Sequence, residues 1–248
     1  MCGRYASARK KHELLEEFQV EQDAAPEEEL APDYNVAPTK KVYAVMTRVP
    51  EEAERGVRQL RVVKWGLVPV WAKDPSVGSR MINARMETLA EKPSFRQAFA
   101  KRRCLLPADG YFEWMPLEED KKKKQPYFIH PEDGGVLAMA GLYEFWKDKT
   151  RADDDPLKWL VTCTIITTQG VDEAGRIHDR MPMMIERERW EQWLDPKVTD
   201  TAEASRLLVP ADAGRLVAYP VSTDVNSVRN NSPELIKPLP PEEESALF

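Results

Sequence analysis

Four short stretches of this 248-residue chain hold residues whose chemistry goes beyond packing. The first is its beginning, Met1-Cys2-Gly3-Arg4-Tyr5. Initiator methionine is normally removed when the next side chain is small, and cysteine qualifies, so the working chain is expected to start at Cys2. Its α-amine and its thiol then sit on one residue, and each keeps a nucleophilic fraction near neutral pH. A 1,2-aminothiol is matched to aldehydes. The amine condenses to an imine, the thiol adds to it, and a thiazolidine ring closes. By position alone, however, a cysteine at a terminus is an ordinary small residue in a frayed end.

The second stretch is Ile82-Asn83-Ala84-Arg85-Met86-Glu87-Thr88, which follows Trp65-Gly66-Leu67-Val68-Pro69 and Trp71. Asn, Arg and Glu at this spacing suit a polar ligand, and equally suit turn and capping duty. The third is Ala108-Asp109-Gly110-Tyr111-Phe112-Glu113-Trp114. In a strand, Tyr111, Glu113 and Met115 share one face while Phe112 and Trp114 share the other. A carboxylate among large apolar side chains is partly desolvated and has its pKa raised, which suits a general acid. On an edge strand the same Glu113 would simply face water. The fourth is Ile177-His178-Asp179-Arg180-Met181-Pro182. Of three histidines, His12 falls on a polar helix face and His130 beside a turn proline, both structural in character. His178 lies in a compact polar loop, where imidazole can both accept and donate a proton. The cysteines and histidines lack the spacing of a zinc site, and no glycine-rich phosphate loop occurs, so no metal or cofactor is expected.

The elements that position these residues are mostly strands. Runs rich in β-branched and aromatic residues predict strands over Val42–Met46, Leu60–Trp65, Cys104–Leu106, Tyr111–Trp114, Tyr127–Ile129, Leu137–Leu142, Leu160–Thr168 and Leu216–Tyr219. Helices are predicted over Ser7–Phe18, with Leu14, Leu15 and Phe18 on one face; over Ser94–Lys101, with Ser94 as N-cap; and over Glu186–Leu194 and Ala202–Leu207. Glu21 to Asp33 is expected to be a loop, Lys121–Lys124 a solvated hairpin tip, and Val49–Gly56 and Trp146–Pro156 variable surface loops. The fold class is therefore α+β, a mostly antiparallel curved sheet or barrel-like core with peripheral helices. No internal repeat or clean linker divides it, so a single domain over 1–248 is expected, its motifs lying within about 2–238.

Bulk properties narrow the function classes. Thirty-six Lys and Arg against 42 Asp and Glu give a formal net charge of −6, so the chain is not coated in basic charge for nucleic acid, though a local basic groove remains open. Three cysteines without a C-x-x-C pair argue against a disulfide framework. With no signal sequence and no apolar run near the ~20 residues of a membrane span, a cytoplasmic protein, or a nuclear one in a cell with a nucleus, is expected.

Taken in order, these segments resemble the SOS-response-associated peptidase (SRAP) family. The matching blocks are Met1-Cys2-Gly3-Arg4-Tyr5, Tyr34-Asn35-Val36-Ala37-Pro38, Trp65-Gly66-Leu67-Val68-Pro69, Ile82–Thr88, Gly110-Tyr111-Phe112-Glu113-Trp114, Ile177–Pro182 and Pro220-Val221-Ser222. The resemblance implies an abasic-site sensor that shields single-stranded DNA through a covalent thiazolidine at Cys2, with Met1 removed by self-processing at most. It implies catalytic roles for Asn83 (holding the opened sugar), Glu113 (acid) and His178 (sugar opening and cross-link reversal). DNA-binding roles fall to Arg4, Asn35, Trp71, Arg85, Trp114 and Arg180, arginines on phosphates and tryptophans beside bases. Some relatives carry two tryptophans where this chain has Trp71-Ala72. The implied partner is single-stranded DNA bearing abasic sites, bound by a monomer associated with the nucleoid, with replication-fork proteins as a further partner class and no membrane. Two other classes stay open: an N-terminal-nucleophile glutamine amidotransferase, and a non-catalytic reader of modified bases that leaves Cys2 idle.

Overall fold

Alternating apolar and β-branched runs form strands wherever a partner strand covers them, and all eight predicted strands are present, each longer than its sequence signal. The computed structural model describes residues 2–27, 29–49, 54–210 and 214–240. In chain order the elements are β1 (Tyr5–Ser7), α1 (Lys11–Glu17), β2 (Gln22–Asp23), β3 (Asp33–Val36), β4 (Lys41–Arg48), β5 (Val57–Trp65) and β6 (Asn83–Arg85). Then come α2 (Arg96–Lys101), β7 (Arg103–Ala108), β8 (Gly110–Pro116), β9 (Lys124–Pro131), β10 (Leu137–Lys147) and β11 (Trp159–Gln169). The chain continues with α3 (Asp172–Ile177), β12 (Arg180–Pro182), α4 (Trp190–Leu194), α5 (Thr201–Arg206) and β13 (Leu216–Pro220).

One sheet has the order β13-β9-β8-β1-β3, with every neighbour antiparallel. The other runs β12-β11-β10-β7-β4-β5-β2, with β6 added to β11. A parallel contact between β5 and β11, Lys64 opposite Thr162 and Trp65 opposite Cys163, closes β11-β10-β7-β4-β5 into a ring. The α+β, largely antiparallel, barrel-like core is thus present, and its helices are short and peripheral.

Three apolar clusters fill it. The cluster between the sheets contains Cys2, Tyr5, Trp65, Tyr111, Ile129, Tyr143 and Cys163. The other face of the ring is covered by the helices through Leu14, Phe18, Phe99, Trp190 and Trp193, with Phe18 stacked on Trp190 at 4.7 Å. A smaller cluster joins Phe112 and Phe128 to Val221, Val225 and Leu235. Strand β8 is therefore covered on both faces, Tyr111 to one cluster and Phe112 to the other, so Glu113 has no watery side to face. Each fully buried large side chain contributes roughly 1.5–3 kcal/mol.

Three expectations are corrected. The first helix starts at Lys11 rather than Ser7, because Tyr5–Ser7 pairs with both β3 and β8 and Asp109 accepts from the Ala8 amide at 2.6 Å and Arg9 Nε at 3.1 Å. Ser94 does not cap α2, whose N-cap is Phe95. Trp146 is not in a surface loop. It ends up buried on β10, and its Nε1 donates to the Ala72 carbonyl at 2.7 Å.

Candidate active site and nucleic-acid interface

Cys2 lies in the apolar space between the sheets, fully buried, with its Sγ 4.0 Å from the Arg4 carbonyl. Asn83 holds it there: its Nδ2 donates to the Cys2 carbonyl at 2.8 Å. Asn83 in turn is fixed by the register of β6 on β11, opposite Ile165. The Trp65-Gly66 motif supports both residues. Trp65 Nε1 donates to the Ile82 carbonyl at 2.9 Å, and its ring lies 5.2 Å from that of Tyr5. Gly66 has φ +119°, and a Cβ there would stand 2.6 Å from the Gly78 carbonyl oxygen, so only glycine lets Trp65 turn into the core and the chain return to Ile82.

Glu113 comes in from β8 and is 3% exposed. Burial pushes its carboxyl above the ordinary range, while the nearby charge of His178 pulls it the other way. Burial also pushes the Cys2 thiol up, and the Glu113 charge adds to that. Tyr111, two residues before Glu113 on the same face, is raised by burial and feels both Cys2 and Glu113. Its hydroxyl and the Asn83 Oδ1 are buried with no hydrogen-bond partner among the described residues, the kind of unmet polar atom that a bound ligand satisfies.

His178 ends α3, where Gly175 lets the helix pack onto Gly170; a Cβ there would stand 2.7 Å from the Gly170 carbonyl. Nδ1 of His178 is 2.9 Å from the Arg180 amide and 2.9 Å from the Asp179 carboxylate. These are alternatives: a bare Nδ1 accepts from the amide, whereas a protonated one donates to the carboxylate.

Arg4, Asn35 and Trp114 form one cluster. Arg4 Nη1 donates to Asn35 Oδ1 at 2.8 Å and to the Val225 carbonyl at 2.9 Å, and its guanidinium lies 5.8 Å from the Trp114 ring centre. Trp114 Nε1 donates to Asn226 Oδ1 at 2.7 Å. The Pro220-Val221-Ser222 motif builds this corner, since the Ser222 hydroxyl accepts from the Asp224 amide and turns the chain into Val225 and Asn226. Asn35 itself is fully buried, its Nδ2 directed at the carbonyls of Val225, Ser227 and Asn230. Expected at the DNA, it instead orients Arg4 from inside, with no surface for a nucleotide to reach.

Arg85 is exposed and stands opposite Thr167 in the β6–β11 register. Arg180 reaches the same place from β12. Its Nη1 and Nη2 meet the Glu87 carboxylate at 2.6 and 3.0 Å, and Nη2 also donates to the Thr167 carbonyl at 2.6 Å. Trp71 is 58% exposed, on the turn that Trp146 anchors through Ala72. The structure thus gathers Cys2, Asn83, Glu113 and His178 around one buried point, and sets Arg85 and Arg180 side by side next to it. Sequence reasoning left three members without a role: Tyr111, signalled only by alternation with Glu113, and Glu87 and Thr167, whose parts depend on Arg180 arriving from far along the chain. Met1, whose removal is expected, lies outside the described residues. Among the described residues no cluster of His, Cys, Asp or Glu could hold a metal ion, and no helix is long and apolar enough to cross a membrane.

The model of the SOS response associated peptidase (SRAP) family matches residues 1–228. The chain belongs to this family. It is 43% identical over 237 residues to the abasic site processing protein YoqW of Bacillus subtilis, a match spanning 96% of this chain and 99% of that one. It is 35% identical over 233 residues to the abasic site processing protein HMCES of Gallus gallus, spanning 84% of this SRAP chain and 66% of the relative. A crystal structure of a Bacteroides thetaiotaomicron protein superposes with a TM-score of 0.80 at 28% identity, covering 96% of this chain and all of that one.

Proposed function

We propose that this SRAP protein captures abasic sites in single-stranded DNA by forming a thiazolidine between Cys2 and the opened sugar. The observation that carries the reading is the placement of Cys2, gripped by Asn83 at 2.8 Å and lying within the field of a buried Glu113 whose carboxyl is pushed up. Relatives that match nearly the whole chain are abasic site processing proteins, which supports the choice of substrate. Once Met1 is gone, the Cys2 amine adds to the sugar aldehyde and water leaves, giving an imine. The Cys2 sulfur then bonds to the imine carbon, and the thiol proton passes to the nitrogen. A protonated Glu113 serves the first step by delivering a proton to the departing water and recovering one from the nitrogen, and it can then relay the thiol proton to that nitrogen. His178 next to it assists opening of the cyclic sugar and the reverse reaction. Asn83 Oδ1 and the Tyr111 hydroxyl offer hydrogen bonds to the opened sugar.

The test is denaturing electrophoresis after mixing the purified protein with an abasic oligonucleotide. The wild type should give a shifted band that survives denaturation, and Cys2→Ala should lose it, because no thiol remains to close the ring. Stable cross-linking by Cys2→Ala would refute the thiazolidine. Ammonia release from glutamine would instead favour the amidotransferase.

A further inference from the structure

Glu87 occupies the part of Arg180 that a phosphate would take. An arginine grips a phosphate most firmly through two parallel N–H bonds. Both terminal nitrogens of Arg180 already meet the Glu87 carboxylate, and Nη2 is further engaged by Thr167. The remaining donor, Nε, points into the protein and is buried. Glu87 also feels the charge of Arg85, two residues earlier at the end of β6, so one carboxylate faces two of the cations closest to the site. The Glu87 side chain is 48% exposed while that of Arg180 is 13% exposed, so the acid is the outer member of the pair, between the guanidinium and solvent.

We propose that Glu87 is an affinity-setting residue, a carboxylate brake on Arg180 and Arg85 that keeps undamaged single strands weakly held, so that lasting residence depends on the covalent step. The inference rests on the abasic-site reading. Glu87 touches no reacting atom; it acts through the two arginines. A purely structural Glu87, needed only to hold Arg180 in place, makes the opposite prediction: its loss would loosen binding.

The experiment uses the full chain and a fluorescent, undamaged single-stranded oligonucleotide, with affinity read by anisotropy between 50 and 200 mM salt. Glu87→Gln retains an oxygen that can accept from Arg180 and removes the charge. It should bind about three- to tenfold tighter at the low-salt end, with the salt slope steeper by about 0.7, one additional single-strand phosphate contact. Glu87→Ala should shift in the same direction, and Glu87→Asp, which keeps the charge, should stay near the wild type. Adding Arg180→Gln to Glu87→Gln should remove most of the gain. Weaker or unchanged binding by both Glu87→Gln and Glu87→Ala would overturn the brake. Wild-type cross-linking to an abasic strand, run beside it, judges the underlying function separately: its absence would refute the abasic-site reading while the anisotropy still decides the brake.

Discussion

Glu113→Gln preserves the shape of the side chain and removes its ability to ionise, so it should slow the chemistry and steady the fold together. Glu113 is 3% exposed, and burial is the largest influence on its carboxyl, outweighing the attraction of His178, so the shift is upward. A carboxyl raised in the folded state binds its proton more tightly there than in the unfolded chain. Its contribution to stability is complete below the unfolded value and is lost as pH rises through the folded one. Glutamine has no such loss. The melting temperature of the variant should therefore climb relative to wild type as pH is raised from about 5 to about 8, with the two converging at the acid end. Leaving a carboxylate ionised at so buried a position costs on the order of 1 kcal/mol or more, which for a domain of this length is a difference of about 2–4 °C per kcal/mol. On the same material, single-turnover cross-linking followed on denaturing gels should slow by about 10²-fold or more, the usual share of a general acid–base group. A variant that melts below wild type at the alkaline end, with no trend in pH, would refute the argument that burial strains this carboxyl. An unchanged cross-linking rate would remove Glu113 from the chemistry.

Three further perturbations address the neighbouring residues. His178→Ala should slow cross-linking less than Glu113→Gln does, and should also slow reversal of the finished adduct when a competing aldehyde trap is present; wild-type rates in both directions would exclude it from the site. Arg85→Ala should weaken binding to single strands and flatten the salt slope by about 0.7, and an unaltered slope would place the phosphates elsewhere. Asn35→Ala removes the group that joins Arg4 to the carbonyls of Val225, Ser227 and Asn230, leaving buried partners unmet at about 1–3 kcal/mol. It should lower the melting temperature by several degrees, and a surface residue in contact only with DNA would not.

What the sequence could reveal follows from how local each signal is. Strands β10 and β11 are eleven residues each and carry their own alternation, so their existence is plain from composition, although pairing with each other carries them further than that signal. The three- and four-residue strands β1, β3, β6 and β12 have no period to detect. They exist because a distant strand accepts them, as β11 accepts β6 from about eighty positions away. Helix α3 is silent for another reason: its N-cap is Val171, with no side-chain cap, and Gly175 lies within it for the sake of contact with Gly170. The same division holds at the site. Glu113 could be picked out from alternation between aromatic neighbours. That Asn35 faces inward could not, because its partners lie about 190 residues further along.

The arginines bear on how such a protein could stay on DNA at all. With a formal net charge of −6, it cannot rely on a general field to hold a polyanion. Of the three arginines expected at phosphates, Arg4 is tied to Asn35 and Val225 and Arg180 is bracketed by Glu87 and Thr167, which leaves Arg85 as the exposed one. Among these three, one arginine open to solvent supports a shallow salt slope and fast dissociation. Strand capture that is weak in this way is a handicap for a reader of intact bases, which must hold its target by contacts alone. For a protein that forms a carbon–sulfur bond it is an advantage, because undamaged stretches are released and only a strand presenting an aldehyde remains. Burial of Cys2 and Glu113 fits the same division of labour: a thiol kept neutral and enclosed reacts with little besides the electrophile that the site admits. The proposed reading therefore assigns selectivity to the reaction and only encounter to the charges, and the salt series on Arg85 and Glu87 variants measures that split directly.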